Sequence, residues 1–220
     1  MADVHARDEF AAVVLGHMNP AIHHPAWYQM SGILTPEEAS AALAPSAQPF
    51  VMSQGPMPLA KFVFNEISIT CQSMRWQIEA PFSRAARCLE ILAKTFDVLG
   101  ETPVTAFGNN FHWHRELAGK EVAQVLGRLL AKTGLVGESS QLQVMSTKNG
   151  NMTTTVAPSP KGPSICHVHV LVHHSIDAMV PSEHPAHFDL GPLVVKAEIE
   201  DRVAAENSLE SFLKAVSSQG

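Results

Sequence analysis

Histidines at alternate positions are the residues of this chain whose spacing suggests chemistry. The stretch CHVHVLVHH, from Cys166 to His174, places four histidines in an otherwise valine-rich run, and FGNNFHWH contains the pair His112 and His114. Two histidines separated by one residue on a strand point to the same side of the sheet. Their imidazoles are then close enough to share one ion, so this spacing makes metal binding a hypothesis to consider.

Five histidines are the candidate metal ligands, provided that their strands are neighbours in the sheet. They are His112, His114, His167, His169 and His173. The ion would be a divalent transition metal such as Zn, Fe or Cu, because imidazole suits all three. Neither strand segment contains an acidic residue beside its histidines, so carboxylate ligands would have to come from strand ends or loops. The acidic candidates there are Glu116, Asp177, Glu183 and Asp189.

The sequence contains none of the other catalytic motifs that we considered. There is no Gly-x-Ser-x-Gly elbow, no glycine-rich phosphate loop and no Walker lysine. His184 and His187 in SEHPAHFD are three residues apart, whereas the zincin motif requires histidines four apart on a helix. Cys166 precedes His167, but adjacent strand residues point to opposite faces and cannot form a nucleophile–base pair. No catalytic residue is assigned on this basis.

The alternation of the histidine strand divides it into two faces. Cys166, Val168, Val170 and Val172 form an apolar face, which we expect to pack against helices. The histidines at 167, 169 and 173 then lie on the opposite face. The same division in FGNNFHWH puts the aromatic residues on the core side and Asn110, His112 and His114 on the other. Neighbouring strands add polar residues to this second face: Ser68, Thr70, Gln72, Gln143, Thr153 and Thr155.

This predicted polar face has very little charge. Between Ser139 and Ile176 there is no Asp or Glu, and the charged residues are Lys148 and Lys161. Solvated sheet faces usually carry charges of both signs, whereas the cores of protein interfaces are depleted in charge. The face therefore suits a contact with a protein partner or a second copy of the chain. The candidate interface residues are Asn110, Gln143, Thr153 and Thr155, with Trp27 and Tyr28 of the amino-terminal segment.

Composition limits the function classes that remain. The net charge of −6 and the pI of about 6.0 disfavour nucleic-acid binding, which normally requires a basic surface. No apolar run is long enough to cross a bilayer, and the first residues do not resemble a signal peptide. The three cysteines are odd in number, far apart and in apolar surroundings, which indicates reduced, buried thiols. We therefore expect a cytoplasmic protein without membrane or nucleic-acid partners.

Residues 1–58 are predicted to form a helical, proline-rich amino-terminal arm packed on the main body. One helix should cover about Val4 to Leu15, with Gly16 as its stop. A second helix should begin at TPEE, with Thr35 as the N-cap and Glu38 completing a capping box. Trp27 and Tyr28 lie between these helices and should anchor the arm to the core.

Residues 59–220 are predicted to form an α+β domain. The domain begins with alternating strands, followed by a helix within SRAARCLEILAKTFDVLG that is capped by Ser83 and has an apolar stripe. A further strand and a further helix then precede a hairpin that turns at Asn149 and Gly150. The histidine strand and a carboxy-terminal helix follow. This order favours a two-layer α+β sandwich with a mainly antiparallel sheet and helices on one face.

Together these patterns predict a non-catalytic protein-interaction or assembly module that uses a polar, histidine-rich sheet face. The alternative is a metal-dependent enzyme whose histidine cluster lies on that face. A third hypothesis, that the histidines are only hydrogen-bonded surface residues, also fits the sequence.

Overall fold

A computed structural model describes residues 8–45, 50–54, 56–117, 120–132, 142–146, 151–176 and 190–217. Within them, the strands are β1 (Glu9–Gly16), β2 (Val51–Ser53), β3 (Leu59–Phe64), β4 (Ile67–Gln72), β5 (Arg75–Pro81), β6 (Val104–Glu116), β7 (Leu142–Ser146), β8 (Met152–Ser159) and β9 (Gly162–Ser175). The helices are α1 (Pro25–Met30), α2 (Pro36–Leu43), α3 (Ala85–Val98), α4 (Val122–Lys132) and α5 (Leu190–Ser217). The protein is α+β, as predicted.

The chain divides into two compact units. The amino-terminal unit comprises Phe10–Asn109 and His173–Ile199. The histidine unit comprises Met1–Glu9, Asn110–Val172 and Glu200–Gly220. Strands β1, β6 and β9 and helix α5 contribute residues to both units. The predicted boundary near residue 58 stays a prediction.

The sheet of the amino-terminal unit runs in the order β2-β3-β4-β5-β1-β6. Strands β2 to β5 pair antiparallel with their neighbours in sequence, and the register aligns Phe62, Ile69 and Ile78 across three strands. These three side chains are almost completely buried. The turn between β3 and β4 places Asn65 and Glu66 at positive φ. Helix α3 contacts β5, so this buried row belongs to the core of the unit.

The predicted helix at about Val4 to Leu15 is wrong over its described part, because Glu9–Gly16 forms strand β1. Its residues Phe10, Ala12 and Val14 are almost completely buried. A short apolar run is compatible with a buried strand as well as a helix, and only tertiary burial decides between them. Gly16 is not a helix stop: a Cβ there would lie 2.2 Å from the Pro103 carbonyl oxygen.

The predicted capping of α2 is confirmed. The Glu38 N–H donates to Thr35 Oγ1 at 3.2 Å, and the Thr35 N–H donates to Glu38 Oε2 at 2.9 Å. Arg87 of α3 also binds Glu38 and donates to the Ile33 carbonyl at 2.9 Å. Helix α3 confirms the predicted apolar stripe, but it begins after a 3₁₀ turn that includes Ser83, which does not cap it.

Tyr28 anchors the amino-terminal segment within its unit. Its hydroxyl accepts a hydrogen bond from Trp76 Nε1 at 2.9 Å and lies 2.7 Å from His23 Nδ1, to which it donates its own hydrogen. Tyr28 and Trp76 have no exposed surface, and His23 is 1% exposed. Burial lowers the pKa of His23 to about 4 and raises that of Tyr28 above its usual range. The predicted anchoring role of Tyr28 is confirmed.

The sheet of the histidine unit runs in the order β6-β9-β8-β7. Strands β7 and β8 are antiparallel, as the hairpin prediction required, although residues 147–150 of its turn lie outside the described residues. In the β8–β9 register, Thr155 faces His169 and Val156 faces Val168. Thr154, on the valine side, contacts Ser208 of α5 at 2.8 Å. The helix therefore lies on the valine face, and the histidines are on the opposite one.

Candidate functional site: a histidine cluster

Strands β6 and β9 are neighbours, which was the condition for their histidines to meet. Within the histidine unit, the Leu117 N–H donates to the Ser164 carbonyl at 2.8 Å. Antiparallel pairing in this register sets His112 opposite His169 and His114 opposite His167. Opposite residues share a face of the sheet, so two His-x-His pairs combine into one group of four.

The histidine cluster consists of His112, His114, His167 and His169, whose ring planes are nearly parallel. The ring centres of His112 and His169 are 4.3 Å apart, and those of His114 and His167 are 4.9 Å apart. The centres of His112 and His167 lie 5.3 Å apart with planes 7° apart. Offset stacking of aromatic rings at the 4.3 and 4.9 Å of the first two pairs is favourable, so these two pairs support the arrangement of the cluster.

Hydrogen bonds fix the cluster at three points. His112 Nδ1 and His167 Nε2 lie 3.0 Å apart and share one hydrogen. His169 Nε2 donates to Asn110 Oδ1 at 2.9 Å. His114 Nδ1 is 2.8 Å from Ser159 Oγ, which itself accepts the Lys161 backbone N–H at 3.1 Å. Ring orientation is therefore set by side chains of β6 and by the turn between β8 and β9.

The four imidazoles are neutral near neutral pH. Burial, the largest cause, and the charges of the three neighbouring histidines together lower the pKa of His112 to about 3. Burial also lowers the pKa values of His114, His167 and His169. A second proton in the His112–His167 contact would set two N–H groups against each other, which opposes protonation as well.

Charged side chains of both signs lie around the cluster. Lys161 and Arg115 are positive and depress the pKa of His114, whereas Asp8 raises it. Glu9 raises the pKa of His167. Asp8 is already paired with Arg115 through contacts of 2.6 and 2.9 Å. Glu9 also acts on the cluster through its negative charge. Unlike Asp8, it has no ion pair among the described contacts of this region.

Strands β7, β8 and β9 present uncharged residues beside the cluster. Thr153, Thr155 and Leu171 are half-buried, and Gln143 is exposed. As the structure describes them, β7, β8 and β9 contain no Asp, Glu, Lys or Arg. The low-charge face expected from the sequence is present in the histidine unit.

Of the remaining predicted residues, three belong to the amino-terminal unit. His173 is exposed and belongs to the amino-terminal unit. Trp27 is half-buried, and Tyr28 is fully buried, so Tyr28 presents no surface to a partner. Glu116 is exposed at the end of β6. The following candidates lie outside the described residues: Asp177, Glu183, His184, His187 and Asp189.

Ser159, Asp8 and Glu9 were missed by sequence analysis. Ser159 stands in the SPKG turn, where a serine next to a proline and a glycine is typical of turns and gives no sign of its histidine partner. Asp8 and Glu9 were assigned to a helix, and the strand they begin brings them near the cluster. Only the correct assignment of β1 would have found them.

Metal coordination by three or more ligands has no support in the described part of the chain. There, no group of three or more His, Cys, Asp and Glu side chains is placed to hold one ion. The metal-dependent enzyme stays a prediction.

Fold and site together define a class: an α+β protein with a neutral histidine cluster on a low-charge sheet face. Comparison with known proteins finds no family model that matches the chain and no similar curated protein. Among the helices in the described residues, none has the length and apolar character needed to span a bilayer.

Proposed function

We propose that this protein is a non-catalytic assembly module that binds a second copy of its own chain through the histidine-rich face of the sheet. The observation that carries the proposal is the absence of charge from a half-buried polar face. Its imidazoles are neutral, and the described residues of β7, β8 and β9 include no charged side chain.

A neutral face is suited to burial in a contact. Removing an ionised side chain from water is costly unless it is paired, whereas neutral His, Thr and Asn side chains need only hydrogen-bond partners. The cluster already satisfies several of these internally, through Asn110 and Ser159. The cost of desolvating this face is therefore lower than for a typical charged sheet surface.

Net charge favours a second copy meeting this face. The chain carries a net charge of −6, so two copies repel each other over most orientations. The part of the face formed by β7, β8 and β9, whose described residues include no charged side chain, is where two acidic chains approach with the least repulsion. A two-fold contact would place the same residues of both copies against each other, as in most homodimers.

Sedimentation equilibrium of the full chain over a range of concentrations tests the proposal. We expect a reversible dimer for the wild type. Thr155→Glu places a carboxylate next to His169 in the middle of the face and, by symmetry, near its own copy. It should weaken dimerisation by about tenfold or more, since unpaired charge in an interface core is strongly unfavourable.

Thr70→Glu is the matched control, because Thr70 is also a half-buried strand threonine but lies in the amino-terminal unit. It adds the same charge and should leave dimerisation within about twofold of wild type. A wild-type chain that is monomeric at all concentrations contradicts the proposal. Equal weakening by both substitutions also contradicts it, because the effect would then be one of net charge.

A further inference from the structure

The contact between His112 and His167 is an in-line one. Their facing nitrogens are 3.0 Å apart, while the ring centres are 5.3 Å apart and the planes differ by 7°. The distance between the nitrogens is therefore shorter than the distance between the ring centres by nearly the largest difference that two imidazole rings allow. The rings therefore meet edge to edge, with the axes of the two nitrogens pointing at each other and one hydrogen between them.

Stacked neighbours hold both rings of this pair in place. His169 covers a face of His112, and His114 covers a face of His167. Asn110 fixes the ring of His169, and Ser159 fixes the ring of His114. The two facing nitrogens are thus preorganised by four further side chains, which reduces the entropy lost when a ligand binds between them.

A cation can take the position of the shared hydrogen without any proton leaving or joining the pair. In the hydrogen-bonded pair, one ring carries its hydrogen on the facing nitrogen and the other ring offers a lone pair there. If the first ring moves that hydrogen to its other nitrogen, both facing nitrogens offer lone pairs. No proton is released, and two nitrogen–metal bonds replace one hydrogen bond. The pair gains the charge of the ion.

The in-line arrangement of the two nitrogens suits a metal ion with two ligands in a line. Zinc requires four ligands in a tetrahedron, and calcium and magnesium require six or more oxygens. The described part of the chain has no group of three or more residues placed for such an ion. Linear two-coordination is typical of monovalent d¹⁰ cations, and imidazole is an accepted copper ligand. Two bonds of about 2 Å place the nitrogens about 1 Å further apart than in the hydrogen-bonded pair, so the two rings must separate by that amount on binding while keeping their in-line orientation.

The surrounding charge favours a monovalent ion over a divalent one. Glu9 is the carboxylate whose charge acts on His167, while Lys161 acts on it with the opposite sign. Asp8 is occupied by Arg115. Glu9 and Lys161 offset each other, so a bound ion adds its full charge to a partly buried site, and one uncompensated positive charge there is less unfavourable than two.

We propose that His112 and His167 form a two-coordinate site for a monovalent d¹⁰ cation such as Cu(I). The site does not depend on the assembly role proposed above. Ag(I) is the probe of choice, because it has the same charge and coordination preference and undergoes no redox step under these conditions.

The first test is nitrogen NMR of the ¹⁵N-labelled full chain, titrated with silver nitrate in chloride-free buffer at neutral pH. We expect His112 Nδ1 and His167 Nε2 to shift together and to saturate at one Ag(I) per chain. His173 should not shift. Zn²⁺ added alone should leave the pair unchanged. Shifts confined to other histidines, or no histidine shift while Ag(I) binds, would overturn the proposal.

The second test separates this site from the three cysteines, which also attract soft cations. His112→Gln and His167→Gln should each lower Ag(I) affinity by about tenfold or more, with His173→Gln as the matched exposed control. X-ray absorption of the chain loaded anaerobically with Cu(I) should show two nitrogen neighbours and no sulfur. Sulfur neighbours of Cu(I), or equal Ag(I) affinity in all three variants, would contradict the proposal. If a variant fails to fold, the wild-type spectra still decide.

Discussion

The buried hydroxyl of Tyr28 connects two other buried polar side chains of the amino-terminal unit. It accepts from Trp76 Nε1 and donates to His23 Nδ1, and none of the three residues is more than 1% exposed. Each of these groups would be unsatisfied without the others, and an unsatisfied buried donor or acceptor costs about 1–3 kcal/mol. The three residues are therefore coupled energetically.

Tyr28→Phe should lower the free energy of unfolding by about 3 kcal/mol, because it leaves the Trp76 N–H and the His23 Nδ1 unpaired in the core. Urea denaturation followed by fluorescence measures this change. Met30→Ala is a control on the same short helix, because Met30 is 88% exposed. It should change stability by no more than about 0.5 kcal/mol. A similar small effect for Tyr28→Phe would show that the network is not coupled as described.

His23 should make folding stability depend on pH. Its folded pKa is about 4, below the value in an unfolded chain, so the unfolded chain binds the proton first as the pH falls. The stabilising contribution is full above the unfolded pKa of about 6.5 and is lost progressively as the pH falls towards the folded value. The histidine cluster acts in the same direction, because its pKa values are also lowered.

Between about pH 7 and pH 4.5, the wild type should lose about 2–3 kcal/mol more stability than His23→Gln, which cannot take up this proton. Urea denaturation at both pH values gives the comparison. Met30→Ala, at an exposed site with no titratable group, should retain the wild-type pH dependence. Parallel curves for wild type and His23→Gln would rule out a buried neutral His23.

The assignment of β1 as a strand, and not a helix, required the tertiary structure. EFAAVVLG contains good helix and strand formers, and its apolar residues are buried within the sheet order β5-β1-β6. Its last residue, Gly16, lies against the backbone before β6, since a Cβ would come within 2.9 Å of Val104 Cα as well as of Pro103 O. Glycine is required there by close backbone approach.

Gly16→Ala should lower the free energy of unfolding by about 3 kcal/mol or more, because backbone atoms cannot yield as a flexible side chain would. Gly127→Ala in α4 is the matched control: nothing lies within 4 Å of its added Cβ. That substitution should raise stability by about 0.5–1 kcal/mol, the helix preference of alanine over glycine. Thermal unfolding distinguishes the two. Stabilisation by both would mean that Gly16 is not in close contact.

Burial throughout the molecule also protects the cysteines. Cys71, Cys88 and Cys166 have no exposed surface, and burial raises the pKa values of all three thiols. Both effects suppress the thiolate, which is the reactive form. The expectation of buried thiols is confirmed by their accessibility.

A thiol-specific disulfide reagent should therefore label none of the three cysteines in the native chain at about pH 8, and all three in concentrated guanidinium. Mass spectrometry of the labelled chain provides the count. The native labelling rate should rise with denaturant, because reaction requires opening of the structure. Rapid labelling of any one thiol in native buffer would contradict its burial.

Local pattern was sufficient for the α+β class, the capping box at Thr35, the stripe of α3 and the two faces of β9. Each depends on side chains that are near in sequence, so periodicity and capping chemistry encode them directly. Tertiary structure decided that Glu9–Gly16 is a strand, that β6 lies beside β9, and that His112 and His167 meet in line. Strand pairing and burial depend on residues far apart in the chain, and His-x-His spacing is the same whichever strand stands next to it.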